Sequence, residues 1–79
     1  MSPRAPRVTA KEIVRVLERL EFVLARSSGS HRIYKDAQGR RVTVPAHAGK
    51  ILHPKVLSRI LTDADLSVEA LIEDLRDRR

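Results

Sequence analysis

The sequence predicts an α+β domain: one helix, a three-stranded antiparallel sheet, then two more helices, in the order αβββαα. Three observations carry that reading. Apolar residues recur at helical spacing in 13–20, 56–61 and 71–75. Three short β-prone runs, 22–26, 31–35 and 40–44, lie between the first and second of these. The breaks hold what turns require: Ser27-Ser28-Gly29-Ser30, Asp36-Ala37-Gln38-Gly39, and Pro45, which cannot continue a ladder. At 79 residues the chain makes one small domain. With 42% hydrophobic and 33% charged residues it is too apolar for a disordered tail.

Residues 1–8 contain Pro3, Pro6, Arg4 and Arg7 without an apolar period, and are expected to form a flexible basic lead-in to a single domain at 9–79. Thr9-Ala10-Lys11-Glu12 reads as a capping box, in which the Thr9 hydroxyl accepts from the Glu12 amide and the Glu12 carboxylate accepts from the Thr9 amide. Behind it Ile13, Val16, Leu17 and Leu20 make the inner stripe of a first helix ending near Glu21. Phe22–Arg26 is the first strand and His31–Lys35 the second. Asp36 opposite Gly39 would close a two-residue hairpin loop and set Ile33 against Val42 and Tyr34 against Arg41. That register puts Ile33, Val42 and Val44 on the packed face and Arg32, Tyr34, Arg41 and Thr43 on the open one.

Pro54 suits the first turn of a second helix carrying Val56, Leu57, Ile60 and Leu61. Thr62 to Asp65 interrupts it, and Ser67 caps a last helix with Leu71, Ile72 and Leu75. The expected core is Ile13, Leu17, Leu20, Phe22, Leu24, Ile33, Val42, Val44, Leu57, Ile60 and Leu61.

Charge is unevenly spread. Of the formal +6, residues 27–61 alone carry seven basic groups against Asp36, whereas 62–79 carry six acidic groups against three basic ones. A basic middle segment points to a polyanion such as nucleic acid as partner. The absence of Cys excludes disulfides, thiolate zinc sites and a cysteine nucleophile. His31, His47 and His53, without Cys or an acidic cluster beside them, make no persuasive metal site, and no metal or cofactor is expected. No apolar run reaches the ~20 residues of a membrane span, so no membrane partner and a cytoplasmic location are expected.

The chemically suggestive stretch is Ser27 to Tyr34. An imidazole exchanges protons near neutral pH, so His31 among basic groups suits a phosphodiester reaction, with Arg and Lys stabilising charge at phosphorus. Strand parity, however, sets His31 on the side of Ile33, where it would be packed; a bulge at Gly29 would re-aim it. Lys50 is the loop cation best suited to phosphate. Arg32, Arg40 and Arg41 form a basic hairpin suited to backbone contact, Tyr34 on the open face would stack a base or lie along the stem of Arg41, and His47 beside Gly49-Lys50 could touch substrate.

These residues also form a familiar pattern. Gly29-Ser30-His31, Tyr34, Gly39-Arg40, Val42-Thr43-Val44-Pro45, His47, Gly49-Lys50-Ile51-Leu52 and Leu57-Ser58-Arg59-Ile60-Leu61 resemble HicA-type toxins over about residues 10–75. The resemblance implies a double-stranded-RNA-binding-like fold and a toxin that cleaves mRNA as a metal-independent endoribonuclease. It also implies silencing by a cognate HicB-type antitoxin, and the family's essential histidine maps onto His31. The free toxin is expected to be monomeric. Two positions depart from the family pattern: Glu21 stands where Gly is usual before the first strand's aromatic, and Pro54-Lys55 where Gly-Thr usually opens the next helix. A non-catalytic RNA-binding module of the same fold is the principal rival. A helix-turn-helix DNA binder built from 55–75 is disfavoured by Asp63, Asp65, Glu69, Glu73 and Asp74, which would face phosphate.

Overall fold

The computed structural model describes residues 5–47 and 49–77. It holds α1 (Ala10–Arg19), β1 (Val23–Ser28), β2 (His31–Lys35), β3 (Arg41–Pro45), α2 (Pro54–Ala64) and α3 (Val68–Asp77). This is the α+β order read from the sequence. Among the described residues no helix is long and apolar enough to cross a membrane.

The helix ends follow local chemistry. The capping box of α1 is complete: the Glu12 amide donates to Thr9 Oγ1 at 3.1 Å and the Thr9 amide to Glu12 Oε1 at 2.9 Å. The other end closes as a Schellman motif, with the Glu21 amide on the Glu18 carbonyl (3.0 Å) and the Phe22 amide on the Leu17 carbonyl (2.9 Å). That closure forces Glu21 to φ 70°, a left-handed conformation costing about 1–2 kcal/mol for a residue with a Cβ. The glycine usual at this position in the resemblance therefore has a backbone reason, and Glu21 occupies the same geometry at a cost. Asp65 ends α2 in the same way at φ 55°, with the Leu66 amide on the Leu61 carbonyl. At its start α2 is capped by His53, whose Nδ1 accepts from the Lys55 amide at 3.0 Å, and Pro54 follows in the first turn. Ser67 Oγ accepts from the Ala70 amide at the start of α3. An ion pair from Arg19 to Asp74 ties α1 to α3.

The sheet is antiparallel in the order β1-β2-β3. Between β1 and β2 the turn is Gly29-Ser30, with Gly29 at φ 56°. The second hairpin differs from the expected one. Asp36 pairs with Arg40, not Gly39: the Asp36 amide donates to the Arg40 carbonyl, the Gly39 amide to the Asp36 carbonyl, and Gly39 sits at φ 85°. This is a three-residue loop with its glycine in the left-handed position. Asp36 holds it, accepting from the amides of Gln38 (3.1 Å) and Arg40 (2.8 Å) and from Arg40 Nε (2.7 Å).

One residue of slip exchanges the faces of β2. The pairs are Tyr34↔Val42, Arg32↔Val44 and Ile33↔Thr43. Tyr34, expected on the open face, is thus buried at 3% exposure with Val42 and Val44. Ile33, expected in the core, is only half-buried on the other side.

The core joins Ile13, Val16 and Leu17 of α1 to Phe22, Tyr34, Val42 and Val44, with Leu57, Ile60 and Leu61 of α2 and Leu71 of α3. Val8, placed by sequence in the lead-in, is buried, and its carbonyl accepts from the Leu52 amide at 2.8 Å; residues 1–4 lie outside the described residues. Leu20 and Leu24 leave the expected core, 39% and 52% exposed. The helices lie chiefly against β3, so β1, at the far edge, exposes all six of its residues.

Candidate functional site

Cross-strand partners share a face, so the pairing defines what surrounds His31. Its face carries Ser28, His31 and Pro45 in one row, Arg26, Ile33 and Thr43 in the next, and Val23, Lys35 and Arg41 in the last. A register shift between Leu24 and Arg26 keeps Arg26 on this side; without that bulge the parity of β1 would send it to the other. His31, Arg26, Lys35 and Arg41 are all exposed. His31 does share the side of Ile33, as strand parity requires, but that side is the open one.

Beyond the edge of β3, α2 supplies the opposite wall. His31, Thr43 and Pro45 line a groove of about 340 Å³ with Val56, Arg59, Ile60 and Asp63. The four α2 residues recur at three and four positions, one stripe of a helix. Among the described residues Arg59 takes part in none of the ion pairs, and it lines the same groove as the His31 imidazole and the Asp63 carboxylate. A second groove of about 300 Å³, lined by His47, Lys50, Ile51, Leu52 and His53, shares Pro45 and Val56 with the first. The two therefore adjoin.

The sequence-selected residues separate accordingly. His31 and Arg41 share the open face, at opposite ends of the β2–β3 pairing. His47 and Lys50 sit in the adjoining groove. Arg32 goes to the opposite side, where it lines a cleft with Ala10, Lys11, Val14 and Ala46. Arg40 is engaged by Asp36 and, at 3.4 Å, by Asp65, so it braces the hairpin against the end of α2. Burial pushes the Asp36 carboxyl up, but the hydrogen bonds and charge of Arg40, with the Gln38 amide, outweigh this and hold it below the ordinary carboxylate range. Tyr34, buried, offers no face for stacking.

Sequence reasoning missed Arg59, Asp63, Arg26 and Lys35. Helical spacing from Val56 could have grouped Arg59 with Asp63. Only the packing of α2 against β3 could bring them to His31.

The groove places an exposed imidazole in one lining with a guanidinium and a carboxylate, groups suited to proton transfer and to holding an anion. Among the described residues no group of three or more His, Cys, Asp or Glu side chains could hold a metal ion. No curated protein matches the chain. A family model described as the HicA toxin of bacterial toxin–antitoxin systems matches residues 10–66.

Proposed function

The chain belongs to the HicA family of toxins from bacterial toxin–antitoxin systems, and from that premise we propose that it is an mRNA-cleaving endoribonuclease whose acid–base residue is His31. Membership implies an antitoxin partner. The observation that supports the enzymatic reading is the position of His31: exposed on the basic open face, and in one groove with Arg59, which among the described residues no ion pair engages.

In this mechanism the imidazole of His31 takes the proton of a ribose 2′-hydroxyl. The 2′-oxygen attacks the adjacent phosphorus, the bond from phosphorus to the 5′-oxygen breaks, and that oxygen leaves with a proton returned by the imidazolium or by water. The products are a 2′,3′-cyclic phosphate and a 5′-hydroxyl. Arg59 stabilises the negative charge that grows on the phosphoryl oxygens. Arg26, Lys35 and Arg41 hold flanking phosphates, and neither metal nor cofactor takes part. A monomer offers this face to cytoplasmic mRNA, and a HicB-type antitoxin silences it by covering the same face.

The test is incubation of the pure protein with RNA in EDTA beside a His31→Ala control. Cyclic phosphate ends from the parent protein alone are expected. RNA binding without cleavage by either protein would leave a non-catalytic RNA-binding module.

A further inference from the structure

Proteins that read single-stranded RNA hold its splayed bases against flat side chains, whether aromatic rings, imidazoles or guanidinium planes. This chain has one Tyr, one Phe and no Trp, and both rings are buried, at 3% and 2% exposure. Neither can meet a base. Besides the guanidinium plane of Arg59, the flat groups beside the His31 groove are the imidazoles of His47 and His53, which line the adjoining groove with Pro45, Ile51, Leu52 and Val56.

That groove is unusual for this surface. Ile51 is 48% exposed within it, one of few large apolar side chains so placed. Its two rings are carried on backbone held by local hydrogen bonds. His53 Nδ1 accepts from the Lys55 amide at 3.0 Å, which fixes the ring at the start of α2. The His47 carbonyl accepts from the Lys50 amide at 3.2 Å across a tight turn with Gly49 at φ 80°. Lys50 lines the same groove and supplies a cation for a phosphate. Because Pro45 and Val56 line both grooves, a strand whose phosphate lay between His31 and Arg59 would have the second groove next to it for a neighbouring nucleotide.

We propose that the groove formed by the β3–α2 loop and the first turn of α2 is a base-binding subsite. It takes one unpaired RNA base next to the cleaved phosphate, and it thereby selects where the strand is cut. This rests on the RNA-cleavage reading above. A protein side chain from the antitoxin is the competing occupant, and the experiment separates the two.

Cleavage by the full chain first maps preferred sites in a single-stranded RNA. The same sequence is then made with 2′-deoxyribose at the cut position and 2-aminopurine at each neighbour in turn. Three variants are compared with the parent: Ile51→Asp, His47→Ala, and His53→Asn, which removes the ring while keeping a side chain able to cap α2. Melting temperatures near the parent's confirm that they fold. The subsite predicts a 2-aminopurine signal that changes on binding at one neighbouring position only. Ile51→Asp should lose that change, and cleavage at preferred sites should fall about tenfold or more relative to disfavoured ones. Folded variants that keep the parent's site preference, while His31→Ala abolishes cleavage, would overturn the subsite and leave the enzymatic reading standing. Variants that lose antitoxin binding but keep the cleavage pattern would likewise overturn it and give the groove to the protein partner. A parent protein that cuts no RNA in the first mapping would remove both.

Discussion

The two faces of the sheet divide the work of this small domain. On the helix side of β2 and β3, Tyr34, Val42 and Val44 are almost completely withdrawn from water. On the other side, residues one place along the same strands (His31, Lys35, Arg41 and Thr43) are exposed. The strands are only five residues long, so core and open face are separated by nothing more than the alternation of a pleat. Substitutions on one face should therefore change stability, and substitutions on the other should change chemistry.

The largest effect should come from the buried face. Tyr34→Ala should cost about 3–5 kcal/mol, as removal of a large core ring does, whereas Lys35→Ala next to it should stay within about 0.5 kcal/mol. Urea unfolding of the two variants measures the contrast directly, and equal losses would abolish it. A domain of this size has about 5–15 kcal/mol at most to lose, so the tyrosine variant should be substantially unfolded at physiological temperature.

A smaller change acts at the entry to β1. Glu21 holds a left-handed conformation with φ 70°. Glu21→Gly removes that strain and returns some entropy to the unfolded chain, for a net gain of about 1 kcal/mol. A calorimetric melting temperature higher by roughly 4–8 °C is expected. RNA cleavage should be unchanged, because Glu21 lines neither groove beside His31.

Salt dependence probes the open face. Replacing Lys35 and Arg41 by Ser should weaken RNA binding across unrelated sequences. For every phosphate left without its cation, the slope of log affinity against log salt should shrink by about 0.7 on a single strand. Arg32→Ser, on the opposite side, should leave that slope unchanged. Equal effects from the two faces would show that charge acts without regard to position.

Acid probes the turn that sets the register. The Asp36 carboxyl is held below the ordinary carboxylate range in the folded chain. Its stabilising contribution is complete above about pH 4, where the unfolded group is also ionised, and is lost as pH falls through the folded value. Asp36→Asn should flatten the acid limb of a stability–pH profile measured by chemical denaturation.

Much of this arrangement was legible in the residues. The Thr9–Glu12 box, the Pro54 start and the Ser67 cap each rest on contacts between near neighbours, and periodicity reaches those. The register of the second hairpin was not legible from periodicity. Arg32-Ile33-Tyr34 places an apolar or aromatic residue on either face, so alternation fits both registers. The difference lies in whether Asp36 pairs with Gly39 or with Arg40. Asp at the first and Gly at the fourth position of a type I turn favours the three-residue loop, a signal stronger here than the apolar pattern. His31 and Arg41 could be selected because their chemistry is intrinsic to the side chain. Arg59 could not, since its relevance depends on α2 lying along the edge of β3.

If His31 serves chemistry and not packing, one paired measurement on a single variant reveals it. His31→Ala is assayed for unfolding free energy and for cleavage of RNA in EDTA. The expected outcome is stability within about 0.5 kcal/mol of the parent and retained RNA affinity. Cleavage should fall by about 10²-fold or more, the usual contribution of a positioned acid or base. A variant that cuts at the parent's rate, or one that loses cleavage only because it unfolds, would contradict the catalytic role.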